Sequence, residues 1–169
     1  MSQFEPLERS RFFTGQLLSA EDLQREQDYF LGRLRRHNRL MHGWGIVSGL
    51  HTSVAGGATV VVEPGLAIDC AGNEIVLATP QQLSITGSES RLYVTICYAE
   101  VLTGEVTTTN GVQFSRARES AVVEILSTNP SIGHPGMGQG TAGCGNSHGI
   151  CTATIGRRGS RWRITSRQR

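Results

Sequence analysis

Only one stretch of this chain carries helical periodicity, and it runs directly into β-structure through Gly43-Trp44-Gly45. Ser19 followed by Asp22 is a capping-box pattern and Gly43 is a natural stop, so the spacing predicts a helix over 19–43. Leu23, Phe30, Leu34 and Met41 recur on one face of it, with Leu31 beside them. Glu21, Asp22, Glu26 and Asp28 crowd its first half, and Arg33, Arg35, Arg36 and Arg39 its second, which complements the helix macrodipole. No second helical pattern follows, so the crossover helices of parallel βαβ units are excluded.

After Trp44 the period becomes two. Strands are predicted at Gly45–Val54, Thr59–Glu63, Leu66–Asp69, Glu74–Leu77, Gln82–Thr86 and Arg91–Tyr98. Others are predicted at Glu105–Thr109, Gly111–Phe114, Ser120–Leu126, Ile150–Ile155 and Arg161–Thr165. Their separators are short and rich in turn residues: Ala55-Gly56-Gly57, Pro64-Gly65, Ala71-Gly72-Asn73 and Asn110-Gly111. The expected fold is therefore mainly β with one long N-terminal α-helix, the body being a β-sandwich or barrel. The predicted organisation has an extended aromatic arm over 1–18, the amphipathic helix over 19–43, and a β-domain over 44–126 and 150–165. A glycine-rich loop over 127–149 is inserted in the β-domain, and a basic end follows over 166–169. Between Gly133 and Gly149 seven of 17 residues are glycine, a connection long enough to be either functional or disordered.

At 169 residues and 38% apolar content the chain suits one domain with a real core. No apolar run approaches the roughly 20 residues that span a bilayer. The N-terminal sequence is too polar and acidic for a secretory signal, so synthesis in the cytoplasm without a signal peptide is expected. Whether the product then stays there, joins a membrane or is released is left open. All 16 basic residues are arginine, and six of them fall in 157–169 beside no acid. The preceding residues hold ten arginines against 14 acids. A mildly acidic body thus ends in a strongly basic tail.

Three groups of residues raise chemical possibilities. Cys144, His148 and Cys151, with His134 upstream, could hold zinc, although C-x3-H-x2-C is not a standard zinc signature. Reduced thiols or a Cys144–Cys151 disulfide are the plainer readings, and Cys97 reads as a small buried hydrophobe. Glu63, Asp69 and Glu74 cluster as a hydrolase pair would, yet carboxylates at strand ends more often serve turn amides. The tail GRRGSRWRITSRQR could bind nucleic acid or anionic lipid, with Trp162 for stacking, or an acidic groove on a protein. Alternation of Trp162 and Ile164 with Arg161, Arg163 and Thr165 fits a final strand with one wet face, and nucleic acid is the less expected partner. His37, Asn38 and His42 read as capping of the helix end. Trp44 reads as a wedge of the helix against the sheet. No nucleophile elbow and no phosphate-cradling glycine loop is present.

The motifs R-F-F-x-G-Q-L-L (Arg11–Leu18), D-L-Q-x-E-Q-x-Y (Asp22–Tyr29) and H-N-R-L-x-H-G-W-G (His37–Gly45) resemble a family of small bacterial proteins. These are encoded in the phage-tail-like gene clusters of contractile injection systems. The segment P-G-x-A-I-D-x-x-G-x-E-I (Pro64–Ile75) is similar to a β-motif of tail and baseplate proteins. The resemblance covers roughly residues 9–77, and the cysteine-bearing loop is not part of it. It implies a structural assembly component at or near a baseplate, present in many copies, with baseplate, spike, tube or sheath proteins as partners. It implies no catalytic residue, no cofactor and no small-molecule substrate. The candidate assembly contacts are Phe12, Phe13, Arg33, Arg36, Arg39 and Trp44, together with Arg157, Arg158, Arg161, Trp162 and Arg163. The competing reading is a small zinc-binding or nucleic-acid-binding module.

Overall fold

A computed structural model describes residues 6–86, 89–130 and 148–167. Helix α1 spans Ala20–His37 and passes into a π-helical turn at Asn38–His42, which Gly43 (φ 77°) terminates. Ten strands follow among the described residues: β1 Gly45–Gly49, β2 Thr52–Ala55, β3 Thr59–Val62, β4 Gly65–Ile68, β5 Glu74–Leu77 and β6 Gln81–Ser84, then β7 Arg91–Thr108, β8 Gly111–Leu126, β9 Ile150–Arg158 and β10 Arg161–Arg167. They form three antiparallel sheets ordered β1-β4-β5, β2-β3-β6 and β10-β9-β7-β8. Among the described residues none closes into a barrel. The body is sandwich-like, and its core gathers Val60 and Val62, Ile75 and Leu77, Val94 and Ile96, and Ile150 and Ile155 from all three sheets.

The predicted strand Gly45–Val54 is in fact two strands. The chain leaves the first sheet at Gly49 and enters the second at Thr52, and its partner makes the same passage at Glu63-Pro64. A Cβ on Gly49 would overlap the Pro64 carbonyl, and one on Gly65 would overlap the Ser48 carbonyl, so this double kink needs bare backbone. Buried Leu50 sits in the kink at φ 54°, and its N–H donates to Pro64 O at 3.1 Å.

A second difference has more consequence. The four short strands expected over 91–126 are two long ones, paired in unbroken register from Tyr93↔Leu126 to Thr108↔Gly111. Strand β9 covers β7 only as far as Ile96. Beyond it the two strands form a ribbon bearing exposed Val101, Leu102, Val106, Val112 and Phe114. Two-stranded ribbons are marginal alone in water.

The capping box forms as predicted. The Asp22 N–H donates to the Ser19 hydroxyl oxygen at 3.2 Å, and the Ser19 N–H donates to the Asp22 carboxylate at 3.1 Å. The Ser19 backbone N–H, then its hydroxyl, hold the Asp22 carboxyl below its ordinary value of 3.8. A lowered folded pKa means the cap is fully effective above that ordinary value and is lost as pH falls through the folded one. Helical ellipticity should hold to about pH 4 and decline below it. Asp22→Asn should remove that step, as a circular dichroism titration would show.

Candidate assembly surfaces

None of the residues of α1 is buried. Leu23 is 52% exposed, Phe30 59% and Leu34 48%, so the apolar stripe meant for a core faces outward. The helix touches the body at its C-terminal end alone among the described contacts. There the Asn38 amide donates to Gly72 O at 3.1 Å and to Glu74 Oε1 at 3.3 Å. The Arg35 guanidinium reaches Glu100 at 3.3 Å on the base of the ribbon. Tyr98 donates its hydroxyl to the same carboxylate at 2.6 Å. Burial, then that bond and the nearby Glu119, push the tyrosine hydroxyl far above the usual phenol range.

The receiving loop explains the acidic cluster. Asp69 is fully buried, and its carboxyl accepts from the N–H of Ala71 (2.9 Å), the N–H of Asn73 (2.9 Å) and the Asn73 side chain (2.8 Å). Gly72 then turns at φ 94° so closely under the helix end that a Cβ would overlap the Arg35 carbonyl. Glu74 serves Asn38, and Glu63 stands exposed. Two of the three carboxylates considered for hydrolysis thus build the helix socket.

The aromatic arm turns at Phe13–Gln16 and runs back along α1. The Ser10 hydroxyl donates to Asp22 O at 3.1 Å, and Leu7 lies against Gly32. Phe12 and Phe13 remain 48% and 70% exposed. Arg33 donates to the Tyr29 hydroxyl at 3.2 Å, while Arg36 and Arg39 are half-buried, Arg36 being engaged within the chain. The wider π-turn brings the His42 and His37 Nε2 atoms to 3.2 Å.

Both tryptophans among the candidate contacts are buried, in keeping with the reading of Trp44 as a wedge and of Trp162 as lying on the face of its strand away from the arginines. Trp44 and Trp162 are core residues, 5% and 7% exposed, because each indole faces the sandwich interior and not the solvent. Trp44 meets His148 edge-to-face at 5.6 Å. Arg157, Arg158, Arg161 and Arg163 are exposed at the β9–β10 turn. His134 and Cys144 lie outside the described residues. Cys151 is buried and its thiol donates to Ala153 O at 3.5 Å; burial, first of all, raises its pKa. The thiol thus turns onto its own strand. The exposed ribbon was missed by sequence reading, because Thr103-Gly104 and the polar run Ser115–Arg118 interrupt the apolar alternation. Its one signal was the Asn110-Gly111 turn with long arms of comparable length on either side.

No family model and no curated protein matches the sequence. Solved structures do. A crystal structure of TssK superposes with a TM-score of 0.53 at 13% identity, over 94% of this chain and 41% of the other. The chain shares its fold with part of TssK. A chain of the type VI secretion system TssK-TssF-TssG baseplate subcomplex superposes with a TM-score of 0.54 at 12% identity, over 97% of this chain and 62% of its own length. The present chain thus spans between two-fifths and two-thirds of the chains it matches.

Proposed function

We propose that this protein is a structural subunit of a phage-tail-like contractile injection system, placed at or near the baseplate and acting through protein–protein contacts. The observation that carries the reading is α1: an amphipathic helix with no buried residue, fastened to the body at one end. Helical stability in proteins comes mostly from packing an apolar face, so another subunit covering this face would add packing that the isolated chain lacks. The exposed arm and the apolar ribbon add two further surfaces of the same kind. Likeness of fold to a chain of a type VI secretion baseplate subcomplex supports the location. Baseplate, spike, tube or sheath proteins are the partners, and the ring symmetry of such particles makes many copies the expectation.

The test replaces Leu23 and Phe30 by Gln. Because both side chains are exposed, the unfolding free energy of the isolated protein should change by no more than about 1 kcal/mol. Incorporation into particles purified from cells should fall at least tenfold, on the order of the loss expected when an anchoring apolar pair is removed from an interface. Undiminished incorporation, or absence of the unaltered protein from particles, would overturn the proposal.

A further inference from the structure

Arginines distant in sequence meet on one outward face of the four-stranded sheet. Arg163 on β10 pairs with Gly156 on β9, and Gly156 pairs in turn with Arg91 on β7. Directly opposed residues of an antiparallel ladder lie on the same side of the sheet. The adjacent row, Ile164, Ile155 and Leu92, turns into the core, so the arginine row turns to solvent. Two residues further along the same face, Arg161 stands opposite Arg158. All four arginines are exposed. Among the described residues none of these four arginines forms an ion pair. Like charges placed directly opposite destabilise a strand pair, so the isolated chain holds a repulsion that a bound anion would relieve.

The geometry points to a docking face for a compact acidic patch on a partner protein, read by Arg91, Arg158, Arg161 and Arg163. Each guanidinium can fork onto a carboxylate. A nucleic-acid strand fits less well. Trp162 lies beneath the sheet at 7% exposure, so it offers no stacking platform on this face. A polyphosphate extending beyond the cluster would also meet the net negative remainder of the chain. The partner's identity rests on the assembly role proposed above, whereas the carboxylate chemistry does not.

Fluorescence anisotropy with the full chain tests this, using a labelled glutamate-rich peptide and a labelled DNA duplex of equal charge. The peptide should bind, more weakly as salt rises. The double variant R91Q/R163Q should weaken it at least about tenfold, while R116Q on the distant ribbon should not. R158E should raise the thermal midpoint of the isolated chain, since a like-charged pair becomes an opposite one. No peptide binding, equal weakening by R116Q, tighter duplex binding lost in R91Q/R163Q, or a midpoint lowered by R158E would each overturn the inference. A chain that binds the peptide yet is absent from particles sinks the assembly role alone; one found in particles that ignores the peptide sinks only this docking face.

Discussion

Replacing Asp69 by alanine should destabilise the protein by about 3–5 kcal/mol, the largest loss expected from any single polar side chain here. The carboxyl group accepts three hydrogen bonds inside one loop, two from backbone amides and one from the Asn73 side chain. Alanine leaves those donors in a buried loop with no acceptor, at about 1–3 kcal/mol for each that water cannot reach. Asparagine is no remedy, because its amide presents a donor where the site supplies donors. Against a total stability of about 5–15 kcal/mol for an ordinary domain, urea unfolding should show a midpoint shifted far down or no folded baseline. A loss below about 1 kcal/mol would mean the loop is held by its backbone turn alone.

Gly72→Ala should act differently, freeing the helix while leaving the body folded. The residue sits at φ 94°, where a Cβ costs about 1–2 kcal/mol by itself. The added methyl group must also displace the Arg35 carbonyl it would overlap, and with it the end of α1. Asn38 then loses its bonds to Gly72 O and Glu74, and Arg35 its hold on Glu100. Trypsin is the natural probe, since Arg33, Arg35, Arg36 and Arg39 line the segment concerned. Cleavage there should accelerate by about tenfold or more, corresponding to roughly 1.4 kcal/mol or more of lost local protection. The β-strands should keep their slow amide exchange. If cleavage of 33–39 is unchanged, the helix is anchored by something other than this socket.

These two residues lie in Pro64–Ile75, whose turn character was visible in the sequence as Asp69, Gly72 and Asn73 in close order. The reading of Asp69 as a server of turn amides was available from residue type, since short carboxylates habitually bond the backbone two residues on. That Gly72 also receives a helix some 35 residues upstream could not be read, because the contact is between two backbones. The long ribbon was misread for a related reason. A strand whose two faces are both solvated shows no alternation of apolar and polar residues, and its length is set by the partner strand rather than by its own composition.

Local rules sufficed for the helix start, its charge polarity, the stop at Gly43 and the mainly antiparallel body, because capping, turns and period depend on neighbours a few residues away. Burial did not follow from those rules. The alternation of Trp162 with Arg161 already puts them on opposite faces, but that the indole is closed off at 7% exposure depends on the elements packed against that face. The same holds for α1, whose apolar stripe the sequence specifies while only the tertiary structure leaves it uncovered. A side chain's periodicity states which face it shares; what meets that face is decided by register and by the placing of elements far apart in the chain.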